Sequence, residues 1–144
     1  MEYRKSVLKH YICGLLVGMI ALSVLAFVLE TYVSFQASAP IFVFPAFFAA
    51  VFAGQKYGDL TERLPEKFEI WYFARVFATV NIAILVLVTS LLLVLDSILA
   101  EMLSSTAGMA LTVLVIILSW LTITFLSRYA FLWGAKSQLK ATAR

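Results

Sequence analysis

The eleven lysines and arginines of this 144-residue chain fall into three short stretches, and the hydrophobic runs between them carry none. Arg4, Lys5 and Lys9 precede the first run. Lys56, Arg63, Lys67 and Arg75 lie between the second and third, and Arg128, Lys136, Lys140 and Arg144 follow the fourth. The two remaining connections hold only acids, Glu30 in one and Asp96 with Glu101 in the other. Basic residues resist translocation and favour the anionic inner leaflet, so this alternation predicts an all-α membrane protein. The expected architecture is one bundle of four transmembrane helices with both termini in the cytoplasm.

Composition narrows the function classes. The chain is 63% hydrophobic and 13% charged, whereas a soluble domain carries about 25% charge. Four spans leave little chain for a soluble catalytic domain, and no basic run is long enough to read as a nucleic-acid surface. Cys13 is the single cysteine, which rules out an internal disulfide or a CxxC redox pair. His10 has no second ligand at metal-binding spacing, so neither a metal nor another cofactor is expected. No serine, cysteine or carboxylate pair makes a catalytic set, and the chain reads as a non-enzyme.

The expected spans are residues 11–29, 38–54, 70–95 and 105–128, with a cytoplasmic loop over 55–69. About twenty residues at 1.5 Å rise cross a hydrocarbon core of about 30 Å. Ala37-Ser38-Ala39 has the form of a signal-peptide cleavage site. The preceding apolar run is too long for a signal core, and Pro40 follows the site, so an uncleaved span is expected. Ser38 is the expected cap of the second helix, with Pro40 in its first turn and a kink at Pro45. In the loop, Asp59 with Glu62 reads as a capping box for a short turn, and Pro65 as the first turn of the third helix. Glu66 and Glu69 follow there, where negative charge meets the positive end of the helix dipole. Trp71 and Tyr72 mark the interface, and Arg75 can snorkel back to the headgroups. Ser104, Ser105 and Thr106 are the expected caps of the fourth helix, and the segment from Lys136 reads as a basic tail.

Small residues recur at four-residue spacing. Gly14 and Gly18 form one row and Ala46, Ala50 and Gly54 another, which lets helix backbones approach closely. Packing within the bundle is the expected use and homo-oligomerisation the alternative. Asn81 is expected near the membrane midplane, where a carboxamide needs a partner; Ser119 and Thr122 lie at comparable depth. Interhelical bonding is the favoured reading of the three, and a polar cavity for a substrate the alternative. No ionisable residue lies mid-span, which argues against an ion-coupled transporter.

Residues 53–71 resemble a pattern found in an uncharacterised family of small four-span bacterial membrane proteins. Ala53-Gly54-Gln55 closes the second span, and the spacing of Arg63, Pro65, Glu69 and Trp71 agrees with an R-x-P-x-x-x-E-x-W opening of the third helix. Asp59-Leu60-Thr61-Glu62 is more acidic than that pattern, and Gly58 stands five residues before Arg63 rather than beside it. The resemblance implies a four-span fold and an inner-membrane location, but no activity. On the residues alone, Pro65 sets a helix start, Glu69 meets Arg63 or free N–H groups, and Trp71 anchors depth.

The functional expectation is a protein that contacts membrane lipids and binds a membrane or membrane-inserting protein partner. One version is an immunity protein against a membrane-inserting toxin, with Glu30, Asp96 and Glu101 as the partner-binding acids. The alternatives are a small transporter or lipid-handling protein with a cavity around Asn81, and an accessory subunit of a larger membrane complex.

Overall fold

The computed structural model describes residues 2–33, 43–95 and 105–142. Apart from 62–66 and Ser105 these residues are helical, and they include no strand: α1 spans Glu2–Val33, α2 Val43–Thr61, α3 Lys67–Leu95 and α4 Thr106–Thr142. The Ser38 cap, the Ala37-Ser38-Ala39 triplet and Pro40 lie outside the described residues, as do Asp96 and Glu101.

Three helices are long and apolar enough to cross a membrane, over Glu2–Val28 in α1, Lys67–Leu91 in α3 and Gly108–Thr142 in α4. Among the described residues, the apolar part of α2 covers Val43 to Gly54, about 18 Å, against a hydrocarbon core of about 30 Å. Polar residues then continue the same helix.

That continuation corrects the expected loop. α2 does not stop at Gly54 but reaches Thr61, so the connection shrinks to residues 62–66. Tyr57 and Gly58 are buried, and packing of that face sustains helix where composition suggested a polar loop. Lys56 bonds Asp59 across one turn at 2.6 Å on the opposite, wetter side. Asp59 and Glu62 therefore form no capping box. Glu62 ends α2 in the left-handed region, φ 51°, with its N–H donating to the Gly58 carbonyl at 3.0 Å, the bond of a helix C-terminal turn. Pro65 also moves. It stands before the cap of α3, because the Glu66 carbonyl accepts the first helical bond, from the Ile70 N–H at 2.9 Å.

α2 is helical through Pro45, and one further expectation shifts. α4 continues through the basic segment to Thr142 rather than leaving it as a tail. Ser105 starts α4, accepting from the Gly108 N–H at 3.0 Å as an N-cap side chain does.

The helices pack in the order α1, α2, α4, α3, with α2 against both α1 and α4 and α3 mainly against α4. At the α2–α4 crossing the backbones touch. A methyl group added at Gly54 would collide with the Phe131 carbonyl, and one at Gly134 with the Val51 carbonyl. At the α1–α2 contact, Gly14 faces Ala49 at 3.4 Å and Gly18 faces Pro45 at 3.2 Å, measured from an added Cβ. Ala46 and Ala50 are buried in the core.

Burial is unevenly distributed along the helices. In α1 it falls on Val7, Tyr11 and Leu15; in α3 it ends at Asn81; in α4 it begins at Ile123. These positions belong to one end of the bundle, where the N-terminal turns of α1, the 62–66 turn and the C-terminal turns of α4 gather. Towards the other end, α1 exposes Val17, Ile20, Val24 and Phe27, and α4 exposes Leu111, Val113 and Leu114.

Candidate functional site

The most concentrated polar structure is built on Glu69, in the first turn of α3. Its side chain is only 8% exposed, yet its two oxygens accept five hydrogen bonds. Arg63 grips both, Nη1 to Oε2 and Nη2 to Oε1, each at 2.9 Å. Tyr57 of α2 donates its hydroxyl to Oε2 at 2.7 Å, and Tyr3 of α1 donates to Oε1 at 3.0 Å. The Glu66 N–H donates to Oε2 at 3.0 Å, the backbone half of a capping box. Five donors on two oxygens call for an ionised carboxylate, which only accepts, whereas a protonated one would turn an O–H against them.

Charge assistance makes these bonds stronger than neutral ones, and the planar guanidinium fits the carboxylate fork. The Arg63 guanidinium is held further above its ordinary value, first by its hydrogen bond to Glu69. Burial, and then the bond to Glu69, pushes the Tyr57 phenol well above the usual tyrosine range. Neither donor titrates near neutral pH. A second layer surrounds them. Arg4 Nε donates to the Tyr3 hydroxyl at 3.3 Å, and its guanidinium lies 5.0 Å from the centre of the Tyr72 ring.

Beneath Glu69 the aromatic core joins all four helices. Tyr57 meets Tyr3 and Phe131 edge-on, with ring centres 5.9 and 5.5 Å apart. Phe73 and Phe77 continue the cluster against Phe131 at 5.0 and 5.8 Å. Tyr11 stacks on Phe77 at 3.9 Å and donates its hydroxyl to the Phe77 carbonyl at 3.3 Å. Glu69 thus closes an apolar core with a polar lid whose donors come from α1, α2 and the 62–66 turn.

Asn81 is buried deeper, beside the Tyr11 hydroxyl of α1 rather than bonded to Thr122. Its amide nitrogen has no hydrogen-bond partner among the described residues. Thr122 is exposed and returns its hydroxyl to the Leu118 carbonyl at 2.8 Å, and Ser119 is half-buried on the same helix. The three polar residues therefore do not converge. A groove of about 510 Å³ opens elsewhere, beside His10, Gln55, Lys56, Asp59 and Gln138. Gln55, from the loop motif, borders that groove, away from the Glu69 cluster.

Trp71 lies against α4. Its ring meets Phe125 edge-on at 5.9 Å, and the guanidinium carbons of Arg128 and Arg75 lie 4.7 and 5.9 Å from its centre. Glu30 belongs to α1, near its far end from Glu69; the other two partner-binding acids lie outside the described residues.

Sequence reasoning singled out Arg63, Glu69 and Trp71 but missed Tyr3, Tyr57, Arg128 and Gly134. The Gly134 signal was present, since Ala130 and Gly134 repeat the small-residue spacing seen on α2. The tyrosines gave no such signal, because each reaches Glu69 from a different helix. Three apolar helices long enough to cross a membrane, packed with α2 into one bundle, have the architecture of a multi-pass membrane protein. Family models, curated proteins and solved structures show no match to the chain.

Proposed function

We propose that this chain is a non-enzymatic, four-span protein of a bacterial inner membrane, with both termini cytoplasmic, that binds a protein partner within the bilayer. The observation that carries the reading is the uneven packing. One end is tied together by the Glu69 cluster, the aromatic core and the α2–α4 backbone contact. Towards the other end α1 and α4 keep broad apolar faces uncovered, including Val24, Leu25, Leu114 and Val115. A well-ordered base with open helix faces suits insertion of a partner helix, because helices associate in lipid by close packing. A membrane-inserting toxin neutralised by an immunity protein is one such partner, as is the core of a larger complex that takes this chain as an accessory subunit.

Photo-crosslinking residues placed at Leu25 and Leu114 test the reading directly in native membranes. A discrete adduct to one protein, absent when the label is moved to Trp133, is the expected result. Adducts to lipid alone, or to a second copy of this chain, overturn it. In the immunity version, changing Glu30 and Glu101 to Gln and Asp96 to Asn together reduces partner recovery; unchanged recovery removes those acids from the contact.

The amide nitrogen of Asn81, unpartnered among the described residues, favours a second reading, transport or lipid handling through a polar cavity. In that case Asn81→Leu abolishes transport while the protein keeps its thermal stability. Loss of stability instead assigns the amide to packing against Tyr11.

A further inference from the structure

The acids of the packed end are largely engaged: Asp59 with Lys56, and Glu66 and Glu69 with Arg63. Arg75 and Arg128 have no share in them. Neither guanidinium has an ion-pair or hydrogen-bond partner among the described residues, and both gather on the indole of Trp71. Arg75 is exposed and Arg128 half-buried. Around them the surface is aromatic and apolar, with Phe125 against Trp71 and Tyr129 beside Arg128, both exposed. Arg75 stands one turn past Trp71 and directly precedes the uncharged run that begins at Val76. A guanidinium at the edge of hydrocarbon is costly unless it finds an anion or water. Lipid phosphate is the anion present at that depth, and guanidinium binds it through parallel charge-assisted hydrogen bonds. The indole orders both cations beforehand, which lowers the entropic cost of gripping a ligand.

We propose that Arg75, Arg128 and Trp71 form a binding site, on the α3–α4 face, for the phosphate of an anionic phospholipid headgroup. The site is separate from the partner-binding faces proposed above, so either can fail without the other. Phosphate is the recognised chemistry; the apolar rim assigns it to a lipid rather than to a free ion, because the acyl chains cover Phe125 and Tyr129.

Native mass spectrometry of the full chain from mixed micelles, holding equal phosphatidylglycerol and phosphatidylcholine, tests the site. The wild type is expected to retain phosphatidylglycerol selectively, and R75Q/R128Q to lose about tenfold of that retention. K136Q/K140Q removes the same charge further along α4 and is expected to leave retention unchanged. Equal retention of phosphatidylcholine, an unchanged R75Q/R128Q, or an equal fall in K136Q/K140Q overturns the proposal. Displacement of the lipid by millimolar inorganic phosphate also overturns it, by showing a site for the free anion. Should the double variant aggregate, R75Q and R128Q singly carry the test, each expected to cost about threefold; no change in either overturns the site.

Discussion

Glu69 gathers donors from two other helices and a turn on a pair of oxygens, so its removal acts on several contacts at once. Glu69→Gln keeps the size but halves the acceptor oxygens and turns an amide N–H₂ towards donors. A loss of about 2–3 kcal/mol is expected, read as an earlier midpoint in unfolding by added SDS. Tyr57→Phe removes one donor and is expected to cost about 1 kcal/mol in the same titration. Glu62 invites the opposite change. It holds a left-handed conformation, φ 51°, that disfavours a side chain. Glu62→Gly is expected to raise stability by about 0.5–1 kcal/mol, and a lowered midpoint would show that its side chain has another role. Of these residues, Glu69 and Arg63 were legible in the sequence because they sit six positions apart around a proline. Tyr3 was not, being 66 positions from Glu69, and no local spacing reports a contact of that range.

Helix α2 shows how an element can be misread from composition. Its polar second half looks like loop because Gln55, Lys56 and Asp59 crowd a few residues. The helix persists because Tyr57 and Gly58 are on the buried side while Lys56 and Asp59 pair on the other. The same element makes the tightest contact in the bundle, and glycine is required on both partners there. Gly54→Ala or Gly134→Ala forces two backbones apart and is expected to cost about 3 kcal/mol, the upper end of overpacking penalties. Gly14→Ala meets Ala49 only at ordinary contact distance, 3.4 Å, and is expected to be neutral or stabilising by about 0.5 kcal/mol. Circular dichroism melts of the three variants in detergent separate these cases. A similar loss in all three would mean that helix separation does not depend on the Gly54–Gly134 crossing.

At the scale of the whole molecule, the 62–66 turn, the start of α1 and the end of α4 share one end of the bundle. Tyr3 bonds Glu69, and Gln138 lies beside Gly58. In a Cys13→Ser background, Glu62→Cys and Lys140→Cys are therefore expected to react alike with an impermeant maleimide. Glu101→Cys is expected to react from the opposite side; different sidedness for Glu62→Cys and Lys140→Cys would break the arrangement. The number of apolar runs and the alternation of charge between them follow from the sequence alone, because transfer to hydrocarbon depends on length and composition and hardly on neighbours. Only the tertiary structure decided which helix lies between which, where the short α2 is held, and that Glu69 meets Tyr3 and Tyr57. Those outcomes rest on shape and on donors brought from distant parts of the chain, which lipid does not sort and which only packing against a particular neighbour can specify.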